Sequence, residues 1–132
     1  MEISVKKEDI VSALSTTLGV VEKRQTLPIL ANVLFEVDEN SFKLTATDLE
    51  SEVTTSGPLS SIRSAGKTTT SAKKLNELCR LIPDGEDINL SLIGDKLNLK
   101  TKNYCLLILS FSYWYEEENL RNYSENQFMT LK

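Results

Sequence analysis

Twice along this chain a segment with helical spacing gives way to a hairpin of alternating strands, and that repeated order leaves few folds open. Residues Glu2 to Lys6 alternate, with Ile3 and Val5 on one face, as a short half-buried strand does. From Lys7 to Val21 the period changes. Ile10, Val11, Leu14, Thr17, Leu18 and Val21 fall on one side of a helix, with Ser12, Ser15, Thr16 and Gly19 opposite. A loop follows, ending at Pro28, which removes a backbone donor and forbids helix there. Asn32 to Val37 and Ser41 to Ala46 then form a hairpin around Asp38-Glu-Asn40, with Val33, Phe35 and Val37 against Phe42, Leu44 and Ala46. Glu50 to Ser56 reads as a third strand, stopped by Gly57-Pro58.

The second half repeats the order. A helix runs from about Ser71 to Ile82, with Ser71 at its N-cap and Pro83-Asp-Gly85 as its stop. Ile88 to Leu92 and Lys96 to Lys100 pair across Ile93-Gly-Asp95, Leu90 and Leu92 alternating with polar residues as Leu97 and Leu99 do. No linker divides the chain. The pattern predicts one α+β domain with two helices packed on one face of antiparallel sheets.

A chain of 132 residues buries about 65–70% of the surface that its unfolded form exposes, enough for one core. Its net charge of −4 argues against a general nucleic-acid coat protein but allows a local basic face. Cys79 and Cys105 suit neither a metal site nor a disulfide framework and are expected to be buried, reduced thiols. The first residues have no apolar core of a signal peptide, and the apolar run from Cys105 to Tyr115 is too short to span a bilayer. A cytoplasmic protein with no membrane partner is expected.

The charge is unevenly placed. Between Arg63 and Arg80 stand five cations (Arg63, Lys67, Lys73, Lys74 and Arg80) and one anion, Glu77, so the remainder of the chain carries −8. On a helical wheel Lys73, Asn76, Glu77 and Arg80 share one face, while Leu75, Leu78, Cys79 and Ile82 share the other. The first helix offers only small neutral groups on its polar side, with Lys23 and Arg24 just beyond its end. Small hydroxyls let a phosphate backbone come close, and Lys or Arg supplies attraction that ignores sequence. Nothing resembles a base-reading helix or an aromatic platform for unstacked bases. Non-specific contact with duplex DNA fits these features, and an ordinary solvated helix face fits the charge pattern too.

Catalysis is not expected. With no histidine, imidazole acid–base chemistry and His-containing metal sites are excluded. Asp48 with Glu50, or Asp84 with Glu86 and Asp87, could hold magnesium through carboxylates, yet both sets sit where acidic residues ordinarily build turns. Ser64-Ala-Gly-Lys-Thr68 lacks the first glycine of a phosphate loop, and Cys79 lies on an apolar face, a poor place for a nucleophile. No catalytic residue, metal or cofactor is predicted, and a carboxylate–magnesium hydrolase ranks last among the readings.

One group of residues is far more specific. Leu14, Arg24 with Thr26-Leu-Pro-Ile-Leu30, Asn32, Leu44 to Glu50, Ala72-Lys73 and Cys79-Arg80 with Pro83 resemble, in order and spacing, the first domain of the bacterial sliding DNA clamp, the beta subunit of DNA polymerase III. The resemblance covers residues 1 to about 102. It implies a DNA-clamp-type domain from a ring of two chains with three similar domains each, helices lining the hole and sheets outside. Such a ring encircles duplex DNA without chemistry and tethers the polymerase; its partners would be DNA polymerase III and the clamp loader. Carried over by position, Arg24 and Lys73 match DNA-contacting positions, and Lys23 and Arg80 extend that basic set. Lys74, Leu78 and Ile82 match an edge that meets a partner chain. The family's peptide-binding pocket lies between its second and third domains and has no counterpart here.

The resemblance implies a first domain over 1–120 and the start of a truncated second domain over 121–132. From Tyr104 to Asn119 the chain departs from the family pattern, with no proline where the family turns toward its next domain. Leu120 to Lys132 is again family-like at the expected distance, as compensating frame changes in the coding DNA would produce. Leu106-Leu-Ile-Leu109 followed by Phe111, Tyr113, Trp114 and Tyr115 has lost the polarity of an exposed strand. At a sheet edge it would show apolar side chains on both faces, a site for self-association or aggregation. Two functions are therefore expected: a non-catalytic processivity clamp subunit or, alternatively, a clamp-like interaction module that does not encircle DNA.

Overall fold

The computed structural model describes residues 1–21, 31–48 and 50–111. Its elements are β1 (Glu2–Lys6), α1 (Lys7–Thr17), β2 (Asn32–Val37), β3 (Ser41–Thr47), β4 (Glu52–Pro58), β5 (Ser61–Ser64), β6 (Gly66–Ser71), α2 (Ala72–Arg80), β7 (Asp87–Ile93), β8 (Lys96–Lys100) and β9 (Cys105–Phe111). Among the described residues the strands form one sheet in the order β4-β3-β2-β6-β9-β8-β7-β1-β5, and every pairing is antiparallel.

The order shows how the two repeats interlock. Each is a strand, a helix and three strands: β1-α1-β2-β3-β4, then β6-α2-β7-β8-β9. The opening strands are exchanged, since β1 pairs with β7 and β6 pairs with β2. Neither half can close its own sheet, so the two must fold around one core. Ile3, Val5, Val33, Phe35, Phe42, Leu44, Ile88, Leu90, Leu97 and Leu99 meet Ile10 and Leu14 of α1 and Leu75 and Cys79 of α2 there. Burying a side chain of that size stabilises by about 1.5–3 kcal/mol. The helices pack on each other, α1 against β3 and β4 and α2 against β2, β6 and β9.

Both helices begin where expected. Ser71 accepts a hydrogen bond from the backbone N–H of Lys74 at 3.2 Å, the side-chain cap that its position predicted. α1 has no side-chain cap, but Glu8 and Asp9 stand in its first turn, where negative charge suits the helix dipole. Glu8 also accepts the backbone N–H of Gly85, and Lys7 pairs with Asp84, which ties the start of α1 to the turn after α2. Asp48, a magnesium candidate by sequence, is occupied by its turn: Oδ1 accepts from Ser51 N at 2.7 Å and Glu50 N at 2.9 Å. Those backbone donors hold its carboxyl below the usual range, as those of Ser41 and Asn40 do for Asp38.

Two strands escaped the periodicity. β5 and β6 are built mainly from Ser, Thr, Gly and Lys, without the apolar alternation that marks a strand, yet Thr68, Thr69 and Thr70 are buried. Thr70 Oγ1 donates to the Leu109 carbonyl at 2.6 Å, one way a buried hydroxyl is satisfied. β4 also runs through Gly57-Pro58 rather than stopping there. Gly57 is required, because a Cβ on it would lie 2.5 Å from Cζ of Phe42, whose ring is fully buried and stacked on Phe35. Gly57→Ala is expected to destabilise by about 1–3 kcal/mol through overpacking. A thermal melt within a degree of wild type would show that Phe42 can move aside.

The expected edge strand sits inside the sheet instead. β9 pairs with β8 from Cys105 to Leu109 and reaches β6 only at Thr69↔Phe111 and Thr70↔Ser110. The reason is that β6 becomes α2 at Ala72, so among the described residues no strand continues the ladder on that side of β9 before Ser110. The expected two-faced character is there. Ile108 is buried, while Leu107 and Leu109 are 59% and 52% exposed on the outer face. Cys105 corrects the reading of both thiols as buried: it lies exposed on that outer face, its Sγ 3.5 Å from Asn98 Oδ1. Strand alternation puts it with Leu107 and Leu109 rather than with Leu106 and Ile108.

Candidate nucleic-acid interface

The candidate surface is made where α1 and α2 lie side by side. α2 buries Ala72, Leu75 and Cys79 and leaves Lys73, Lys74, Glu77 and Arg80 exposed. That split follows the helical period, since residues three and four apart share a face. Ser12, Ser15 and Thr16 are exposed on α1, and Ser15 and Thr16 return hydrogen bonds to the carbonyls of Val11 and Ser12. The small residues keep this part of the surface low and uncharged.

Arg80 joins the helices. Its Nη2 donates to Ser15 Oγ at 3.2 Å and its Nε to Asn76 Oδ1 at 3.3 Å. The guanidinium is thus held against the α1 hydroxyls by neutral partners, with donors to spare. Among the described residues neither Arg80 nor Lys73 pairs with a carboxylate. Both charges remain available to an outside anion. Lys74 differs, because Glu77 lies 3.3 Å away and offsets it.

The run of five cations is divided by the fold. Lys73, Lys74 and Arg80 are on α2, whereas Arg63 of β5 lines a concavity on the outer sheet face and reaches Glu2 at 3.9 Å. Lys67 of β6 borders another hollow with Glu36 and Lys43. Counting charge along the chain could not separate these surfaces. Lys23 and Arg24 lie outside the described residues. Of the residues matched to a partner-facing edge, Lys74 is exposed and Leu78 half-buried, while Ile82 is in the core at 1% exposure. Sequence reasoning passed over Leu81, which is 62% exposed beside them, because it follows the last helical residue and fits neither face of the wheel.

Cys79 is no nucleophile here. Burial pushes its thiol up to about 12, with Lys7 opposing the shift only in part. Among the described residues no group of three or more Cys, Asp or Glu could hold a metal ion. No helix among them is long and apolar enough to cross a membrane.

The profile of the DNA polymerase III beta subunit N-terminal domain matches residues 1–116, most of the chain and well into the stretch that departs from the family pattern. This chain belongs to that family. The beta sliding clamp of Salmonella typhimurium is 36% identical over 101 residues, covering 76% of this chain and 28% of the relative. One from Vibrio harveyi is 33% identical over 101 residues, covering 76% of this chain and 70% of that sequence. Among solved structures, the DnaN sliding clamp of Pseudomonas aeruginosa superposes with a TM-score of 0.82 at 31% identity, over 89% of this chain and 32% of that one. The DNA polymerase sliding clamp of Caulobacter crescentus gives 0.78 at 29% identity. The chain therefore spans about 28% of the Salmonella clamp's length. In clamp terms, the exchanged repeats are the architecture of one clamp domain.

Proposed function

We propose that this chain is a non-catalytic clamp domain that lays the α1–α2 surface against the phosphate backbone of duplex DNA, within a ring that keeps DNA polymerase III on its template. The observation that carries this reading is Arg80, fixed across the two helices by Ser15 and Asn76 and free of any described carboxylate. A cation held by neutral groups beside small hydroxyls attracts phosphate without gripping it, as sliding requires. Lys73 lies about two helical turns away on the same stripe, and the resemblance adds Lys23 and Arg24, which lie outside the described residues. The ring, the polymerase, the clamp loader and a cytoplasmic setting come from the family and not from this chain's own geometry.

The alternative, an interaction module that does not encircle DNA, is favoured by the half-open ladder of β9 and the exposed Leu107 and Leu109. DNA binding separates the two. A clamp domain of this kind binds unrelated duplexes equally and weakens steeply as salt rises, because each neutralised phosphate releases counterion. Binding indifferent to salt, or none at low ionic strength, would remove the clamp reading and leave the module.

A further inference from the structure

The outer face of the second half-sheet, on the side away from α1 and α2, is positive on a chain whose net charge is −4. On β1, β5, β7 and β8 it shows Lys6, Arg63, Lys96 and Lys100 against Glu2 and Asp87, all of them exposed. Among the described residues Lys6, Lys96 and Lys100 have no ion pair, and Arg63 has only Glu2 at 3.9 Å. One cross-strand row runs Ser64, Glu2, Ser91, Asn98 and Leu107, from β5 to β9. Directly opposed residues share a face. Over this row and its neighbour lies a hollow of about 470 Å³, with Arg63 at one end, Lys100 at the other and Asn89, Ser91 and Asn98 between them. Leu107 stands exposed at the end of the row, one strand past Lys100.

The mixture of donors and acceptors selects the occupant. A phosphate group only accepts hydrogen bonds, whereas Glu2 and the carboxamide oxygens of Asn89 and Asn98 need a donor as well. A second copy of this chain would bring one positive face against another. A peptide strand satisfies both demands, because its carboxylates answer the cations while its backbone N–H and C=O groups answer Glu2 and the carboxamides. We propose that this face binds an extended acidic peptide of a partner protein, laid across the strands, with one carboxylate on Arg63, a second on Lys100 and an apolar side chain on Leu107. Strand geometry sets the spacing. From Arg63 to Lys100 there are three strand-to-strand steps, about 14 Å at about 4.8 Å each, and Leu107 is one step further. An extended peptide advances about 3.3 Å per residue and turns alternate side chains the same way. Acids four residues apart, with an apolar residue two beyond the second, therefore meet all three points from one face. The long stem of Lys100 spans its offset of one row. The surface lies across the sheet from the helices, so it stands with or without the DNA-binding reading.

The probe is the peptide acetyl-Glu-Ser-Thr-Ser-Glu-Ser-Leu-amide, and Cys105 reports its arrival. Of the chain's two cysteines, Cys105 is exposed opposite Lys100, whereas Cys79 is buried with its thiol pushed up to about 12. Iodoacetamide therefore labels Cys105 alone. The peptide should slow that labelling several-fold and saturably in the full chain, and less as salt rises. The same peptide with Gln for both Glu should not slow it. Arg63→Glu with Lys100→Glu should abolish the slowing, and Glu2→Gln should bring it in at lower peptide concentration. Both variants alter exposed side chains, so each should melt at the wild-type temperature. Rates are compared with and without peptide in the same variant, because losing Lys100 changes the surroundings of Cys105. Labelling unaffected by the peptide in the wild-type chain would overturn the proposal. So would slowing that the Gln peptide reproduces or that survives the double charge reversal. Slowing that grows with protein concentration in the absence of peptide would give the face to a second copy instead.

Discussion

Phe35→Ala is expected to destabilise this domain by about 3–5 kcal/mol, the usual range for removing a fully buried aromatic ring. Phe35 has no exposed surface, and its ring stacks on Phe42 with centroids 5.8 Å apart and planes 14° from parallel. Phe42 in turn lies over Gly57 of β4, so one substitution loosens β2, β3 and β4 together. An alanine leaves a cavity that Phe42 cannot fill without losing its own seat. Domains are stable by only about 5–15 kcal/mol, so the variant loses a large share of what it has. Chemical denaturation checks this: the midpoint should fall sharply with little change in slope. A loss under about 1 kcal/mol, below the range for large-to-small core changes, would mean that this stack is not central to the core.

Arg24→Ala, Lys73→Ala and Arg80→Ala together are expected to flatten the salt dependence of duplex binding by about 2.7 in log–log slope, at about 0.9 per phosphate contact removed. On the proposed reading the loss should be uniform across DNA sequences, because phosphate contacts carry no sequence information. Two single controls sharpen the test. Lys74→Ala should change the slope less, since Glu77 already offsets that charge at 3.3 Å. Arg63→Ala should leave it unchanged, because Arg63 faces the outer side of the sheet. Arg80→Ala also removes two hydrogen bonds between and along the helices, so affinities must be read well below each variant's melting temperature. An unchanged slope in the triple variant would sink the α1–α2 surface as the DNA face. A lowered slope in Arg63→Ala would mean that the DNA lies on the opposite side of the domain.

The candidate site was legible in its parts and not in its assembly. Helical spacing alone put Lys73, Asn76 and Arg80 on one face of α2 and named Ser71 as its cap, because a helix displays its period locally. That Arg80 reaches Ser15, sixty-five positions earlier, depends on α1 and α2 packing together, which no local period records. The same limit divided the five-cation run: Arg63 and Lys67 are near α2 in sequence, but β5 and β6 carry them to other surfaces. The resemblance to the clamp located the family from a few spaced residues, because turn and core positions are held in a fixed order by the fold they build.

By itself the sequence determined two helices, two clear hairpins, an interior without histidine chemistry, and the family. Hydrophobic period, capping residues and turn residues are short-range properties, and short-range properties are written where they act. Tertiary structure decided that β1 and β6 exchange halves, that the threonines of β6 are interior, and that Cys105 faces out. Each of those depends on which strand lies alongside, a long-range choice settled by burying both halves around one core. β9 shows the division best. Its apolar run was evident from the residues, but its place inside the sheet, laddered on one side and released on the other by the start of α2, was decided only by the fold.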